Sequence, residues 1–311
     1  MFDTPAGKYQ EKAAVLALVE AASRAGWEWY RVAQAVAERG SAVGIMSREP
    51  IGLETEDAEA LRQVALGADD RLAHFEELIR SEEESGSSFI TILDDQYPVN
   101  LRAIYNAPPF LFVRGQLAPG DGRSIAVVGT RAASPAGLEQ ATRLAEGLAQ
   151  QGVTVLSGLA RGIDTAAHIG ALEAGGRTMA VMGTGIHLRY PRENAGLADR
   201  IEGAGALVSQ FWPDAPPARW SFPMRNVVMS GLALGTVVIQ ASATSGAKMQ
   251  ARLALEHGKL VFLHRSLVLG EEWARRYADR RGALVFDDVD DVLDHLVQLS
   301  HAETYQQLRL A

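Results

Sequence analysis

From Ser124 onward the sequence repeats one unit: a short apolar run, a glycine or polar break, then a segment with helical spacing. The apolar runs cover 124–129, 153–158, 178–183, 206–211, 236–241, 260–264 and 283–286, and helices are predicted near 135–151, 163–174, 194–203, 225–233, 246–257, 270–281 and 288–298. A run such as Thr236-Val237-Val238-Ile239 shows no polar alternation, as expected of a strand covered by helices on both faces. Strands and helices alternating in this way predict an α/β fold class, a doubly wound and mostly parallel sheet. Ligands of such sheets bind at the carboxyl ends of the strands, near the point where strand order reverses.

Before that repeat the rhythm differs. Residues 11–39 read as one or two helices through Val15, Leu16, Leu18, Val19, Val32, Ala33 and Val36, and Glu54 to Arg80 as a second helical region. Ser81 to Ser88 is acidic and serine-rich and is predicted to be a loop. Phe89 to Leu93 and Phe110 to Val113 are predicted as short strands, separated by Tyr97-Pro98 and Pro108-Pro109, which forbid a continuous helix. The Gly and Pro content of 115–122 predicts a boundary. The expected organisation is a helical domain over 1–85, a connecting segment with short strands over 86–122, the α/β domain over 123–298 and a tail over 299–311.

Composition narrows the function classes. With no cysteine in 311 residues, disulfides, thiolate metal sites and thiol nucleophiles are excluded. His168, His187, His257 and His264 lack paired ligand spacing, so no metal is expected. The first thirty residues mix Lys8, Glu11, Lys12, Glu20 and Arg24 with apolar runs, which reads as an amphipathic helix and no signal peptide; a cytoplasmic protein with no membrane association is expected. The net charge is −8, but Arg123 to His264 holds thirteen Lys and Arg against nine Asp and Glu. That distribution fits either a focused anion site on an acidic protein or ordinary solvated helix faces.

Polar and cationic residues collect at the predicted strand ends. The first strand delivers Gly129, Thr130 and Arg131; the second delivers Ser157, Gly158, Arg161, Gly162 and Asp164; the third leads to Gly183, Tyr190-Pro191 and Asn194. Phe222-Pro223-Met224-Arg225-Asn226 precedes the fifth strand, which ends at Gln240 and leads into Ser245-Gly246-Ala247-Lys248. Glycine turns opening helices let backbone N–H groups approach an anion where the helix dipole is positive. Taken singly each piece has a plain structural reading. Asp164 suits the first turn of its helix, and His168 is more readily a hydrogen-bonded structural residue than a base.

Order and spacing together resemble the DNA-processing protein A family (DprA, also called Smf). Its VG(S/T)R strand end, SGxAxGID…H segment, Gly turn with YP and Asn, FPxRNR segment and SG helix start correspond to Val128 to Arg131, Ser157 to His168, Gly183 to Asn194, Phe222 to Asn226 and Ser245-Gly246. Asp94 to Leu101, Pro108-Pro109 and Arg114-Gly115 resemble the segment leading into the family's α/β domain. The resemblance implies a Rossmann-like domain after a small sterile-alpha-motif-like helical domain, and a homodimer that binds single-stranded DNA, loads the RecA recombinase and serves natural transformation, without catalysis or cofactor. By position it makes Arg131, Arg161 and Lys248 the phosphate-contacting cations, with Arg225 and Asn226. Gly129, Thr130, Ser157, Gly158, Gly162, Asn194, Ser245 and Gly246 would give backbone or hydroxyl contacts.

The chain also departs from the family pattern. Arg225-Asn226-Val227 lacks the second arginine of RNR, and Gln240-Ala241 stands where the family has Glu-Ala. Leu263 to Leu267, followed by Arg275, Arg276, Arg280 and Arg281, replaces a Val-Pro-Gly turn. The chain stops at Ala311, which implies a member without the C-terminal winged-helix domain. The alternative reading is a nucleotide-binding sensor, or a phosphoribohydrolase of the LOG type on the same fold, cleaving nucleoside monophosphates. Gln240 cannot ionise and argues against that hydrolysis, although Asp164 and Glu173 are available carboxylates. The last predicted helix offers an apolar face that would cover the sheet or meet a partner.

Overall fold

The computed structural model describes residues 5–47 and 56–298. Predicted residues 54–55 and the 299–311 tail lie outside this range. The helical region comprises α1 (Pro5–Arg24), α2 (Trp29–Arg39), α3 (Ala42–Met46), α4 (Glu56–Val64) and α5 (Leu72–Glu84). β1 (Ser87–Thr91), a single turn α6 (Val99–Arg102) and β2 (Phe110–Gly115) follow. The repeat then runs β3 (Ser124–Val128), α7 (Pro135–Gln150), β4 (Thr154–Ser157), α8 (Ile163–Glu173), β5 (Thr178–Val181), α9 (Ala195–Ala204) and β6 (Ala206–Ser209). It closes with α10 (Ser221–Leu232), β7 (Gly235–Val238), α11 (Gly246–Glu256), β8 (Leu260–His264), α12 (Arg265–Gly270), α13 (Glu272–Ala278) and β9 (Ala283–Phe286), then a helix over 289–298.

All nine strands form one sheet in the order β1-β2-β6-β5-β4-β3-β7-β8-β9. From β6 to β9 every pair is parallel, whereas β1–β2 and β2–β6 are antiparallel. Segment 86–122 therefore supplies two strands of the sheet itself. The chain moves outward from β3 to β6, then returns to β7 on the other side of β3. Strand order reverses between β3 and β7, which is where an open α/β sheet leaves a crevice.

Strands β3, β4 and β7 are buried at every residue, and their alternate side chains feed two cores. Ile125, Val127, Val155 and Val237 pack with α7, α8 and Val292 and Leu296 of the last helix, which thus covers the sheet. Ala126, Val128 and Val238 pack on the opposite face, in a core that also holds residues of α1, α2, α5, α10 and α11. The helical region is thereby joined to the sheet by shared apolar burial: Trp29 lies 5.7 Å from Phe110, and Phe75 stacks on Trp212 at 5.6 Å. Among the described residues no helix is long and apolar enough to cross a membrane.

Three elements differ from expectation. The predicted loop at 81–88 is helical as far as Glu84, because Glu82 turns inward and meets the ring of His187 at 3.0 Å. The helix predicted at 225–233 begins at Ser221; Pro223 is tolerated in its first turn, where the backbone N–H has no intrahelical partner. The helix predicted at 270–281 is two short ones, broken at Glu271, whose backbone is extended (φ −120°, ψ 123°).

Candidate functional site

A cleft of about 420 Å³ opens at the carboxyl ends of β3 and β7. It is lined by Gly129, Thr130 and Arg131 after β3, by Phe222, Arg225 and Asn226 of α10, and by Ser245 and Gly246 at the start of α11. Its two sides are tied by backbone: Thr130 N donates to Gln240 O at 2.6 Å and Ile239 N to Val128 O at 3.2 Å. A smaller cavity of about 110 Å³ continues it past Gly158, Arg161, Tyr190 and Phe222, with Arg131 and Arg225 on both walls.

The loop after β4 is set by Asp164 and Asn194. Asp164, in the first turn of α8, is buried and accepts the Gly158 N–H at 3.1 Å, with the Ala160 and Gly129 amides also turned toward it. Burial pushes this carboxyl up, against the lowering effect of Arg225 and those amides. Asn194 Nδ2 donates to Leu159 O at 2.8 Å and to Thr165 Oγ1 at 2.9 Å, from outside the cleft. Between them Leu159 holds φ 58°, a left-handed conformation sustained by its buried side chain and this carbonyl bond. Gly162 (φ 73°) lets the loop touch its neighbour: a Cβ there would lie 2.4 Å from Thr130 O.

The cations divide into four situations. Arg131 is exposed, lies 5.6 Å over the Phe222 ring, and has no carboxylate within ion-pair distance among the described residues. Arg161 is exposed too, but its guanidinium grips Glu193 through two hydrogen bonds, Nη2–Oε2 at 2.7 Å and Nε–Oε1. Arg225 is buried at 6% exposure and forms part of the cleft floor, with Nη1 donating to Val181 O at 2.9 Å and Nε lacking a partner. Burial lowers its pKa against the opposing pull of Asp164, and Arg131 nearby lowers it further. Lys248 sits off the cleft wall, with Nζ 5.9 Å over the Trp273 ring.

Seven residues expected at the site therefore line the main cleft: Gly129, Thr130, Arg131, Arg225, Asn226, Ser245 and Gly246. Gly158 and Arg161 line its extension. Ser157 does not reach it, since its buried Oγ donates to Val127 O at 2.6 Å, and Gly162, Asn194 and Lys248 stand behind or beside it. Asn226 Nδ2 points across to Gly246 O at 3.5 Å, and Ser245 Oγ caps α11 by accepting from Ala247 N at 3.1 Å. Phe222 is a wall residue not anticipated as one; the signal was its place beside Arg225 in the sequence, but its contact with Arg131 arises only from packing. Gln240 has its amide already engaged, donating from Nε2 to Ser134 Oγ at 2.8 Å and accepting from Ser134 N at 3.1 Å.

The family model for DNA recombination-mediator protein A matches residues 88–296. Over 204 residues the chain is 38% identical to DNA processing protein DprA of Streptococcus pneumoniae, across 65% of this chain and 72% of that protein. It is 39% identical over 180 residues to DNA processing protein DprA of Bacillus subtilis, and 39% over 217 residues to Protein Smf of Escherichia coli. The matched regions make up 61% and 58% of those two proteins. The X-ray structure of the Streptococcus pneumoniae protein superposes with a TM-score of 0.67 at 29% identity, covering 94% of this chain and 98% of that one. DNA processing protein A of Helicobacter pylori, whose single-stranded DNA binding mode has been described, shares the fold with a TM-score of 0.61 at 23% identity, covering 68% of this chain and 96% of that one.

Proposed function

This chain belongs to the DNA recombination-mediator protein A family, and from that premise we propose that its cleft holds the phosphate backbone of single-stranded DNA, as a binding and not a catalytic site. The observation that carries this reading is Arg131. An exposed guanidinium with no carboxylate partner among the described residues stands at the mouth of a cleft whose floor is a second, buried guanidinium. Arg131 and Arg225 face one cavity in which, among the described residues, the buried Asp164 is the one carboxylate, so an entering anion relieves their mutual repulsion, and the start of α11 adds its dipole on the same side.

Strand binding without base readout suits these groups. Backbone neutralisation supplies most of the affinity, and aromatic rings such as Tyr190 and Phe222, 6.0 Å apart beside the cleft, can stack bases of any kind. A hydrolytic role finds less support. Among the described residues the cleft wall carries one carboxylate, Asp164, whose oxygens face backbone amides, and Gln240 is neutral and engaged. The homodimer and the hand-over to RecA implied by the resemblance belong to the same proposal and rest on the family alone.

The test is fluorescence-anisotropy titration of a labelled single-stranded oligonucleotide at several salt concentrations, with duplex DNA and mononucleotides as competitors. Salt-sensitive binding that duplex displaces poorly is the expected result. Absence of strand binding, or displacement by micromolar-scale mononucleotide, overturns it in favour of a small-nucleotide sensor.

A further inference from the structure

The arginines after β8 take no part in the cleft, yet their placement relates them to it. Between Trp273 and Arg281 the chain carries four arginines and a single acid, Asp279, in a protein of net charge −8. α13 buries Trp273, Ala274 and Tyr277 and turns Arg275 and Arg276 outward, with Arg280 and Arg281 exposed just past its end. Its start is held beside the cleft: Trp273 Nε1 donates to Ala241 O at 3.0 Å, one residue before Ser242 of the cleft lining, and Lys248 lies over the same indole. From that point α13 extends over seven residues, about 10 Å.

These charges are available. Arg275 donates to the Leu269 carbonyl at 2.9 Å, Arg280 lies 4.1 Å over the Tyr277 ring, and neither these two nor Arg281 has an ion-pair partner among the described residues. Arg276 pairs with Glu272 one turn away, both more than two-thirds exposed, a contact weak enough to exchange for phosphate. A polyanion entering the cleft gains a continuation of its path, through Lys248 to the outer face of α13.

We propose that Arg275, Arg280 and Arg281 form a basic track that carries a single strand onward from the cleft, with Lys248 at the junction. The proposal rests on the strand-binding reading of the cleft and adds to it a length dependence.

The experiment compares oligothymidylates of about six and about twenty nucleotides, lengths that bracket typical single-strand site sizes. It uses the full chain and two triple variants, R275A/R280A/R281A and R275K/R280K/R281K. The alanine variant is expected to bind the short oligonucleotide like the parent and to lose about tenfold or more on the long one. Its slope of log affinity against log salt should fall by about 2, from roughly 0.7 per lost phosphate contact. The lysine variant should keep the parental slope. An alanine variant with unchanged length dependence and slope overturns the track, as does one that loses short and long binding alike. A parent chain that binds neither oligonucleotide instead overturns the cleft reading beneath it.

Discussion

The guanidinium of Arg225 occupies the space a side chain on Gly158 would need: a Cβ there would lie 1.7 Å from Nη1. The cleft floor thus depends on one residue having no side chain. Gly158→Ala must push Arg225 off its bond to Val181 O, which predicts a loss of about 1–3 kcal/mol in stability together with weakened strand binding. Denaturant unfolding checks the first. Because the two residues share one space, the Gly158→Ala/Arg225→Ala double variant should lose less than the sum of the singles.

Arg131 and Arg161 should not behave alike. Arg131→Ala removes a cation with no carboxylate partner among the described residues, and is expected to weaken strand binding and lower the salt slope by about 0.7, one phosphate contact. Arg161 must first release Glu193, so Arg161→Ala should cost less. Glu193→Gln frees that cation and should tighten binding. A set of titrations in which Arg131→Ala leaves both affinity and slope unchanged sinks the proposed role of this residue.

His168 is fully enclosed, with Nδ1 2.7 Å from Thr178 Oγ1, and burial holds its pKa at about 3 instead of the ordinary 6.5. Below pH 6.5 the unfolded chain takes up a proton that the folded chain refuses until pH is near 3. Stability is therefore complete above about 6.5 and falls by about 1.4 kcal/mol per pH unit below it. His257, lowered to about 4 by burial and Lys259, adds a second such loss between 6.5 and 4. Unfolding midpoints measured from neutral to mildly acid pH should show this decline, and His168→Leu should flatten it.

His187, in the loop before α9, bridges α5 to the loop before α10, with Nε2 3.0 Å from buried Glu82 and Nδ1 2.9 Å from exposed Asp214. His187→Ala leaves the Glu82 carboxylate inside without a partner, at a predicted cost of about 1–3 kcal/mol. Replacing both, Glu82→Leu with His187→Ala, should recover part of that loss. Equal destabilisation in single and double variants would mean that the bridge contributes nothing.

The strands were legible because burial on both faces writes itself as uninterrupted apolar runs, as in Thr236 to Ile239, and turns follow from glycines at their ends. The acidic stretch at 81–84 misled, since Glu82 is paired inward by a histidine more than one hundred residues away in the chain, which no local pattern announces. Of the residues that line the candidate cleft, the glycine turns and Arg131 follow from the strand-end pattern. Motif position made Arg225 and Lys248 look like Arg131, but one is sunk against Gly158 and the other lies over Trp273; both outcomes depend on tertiary packing. No local pattern announces that the Ser157 hydroxyl is engaged by Val127 O, because the pairing of β4 with β3 brings those two residues together.

The antiparallel seam between β2 and β6, which pairs Phe112 with Ser209 through Gly115 with Ala206, has a practical corollary. A shortened version starting at Ser124 would retain every residue of the cleft, yet it would strip β6 of its neighbour and present a row of bare N–H and C=O groups. Such a fragment invites strand-to-strand association between molecules and aggregation. The β1–β2 hairpin, at the very start of the family match, is what caps the sheet on that side.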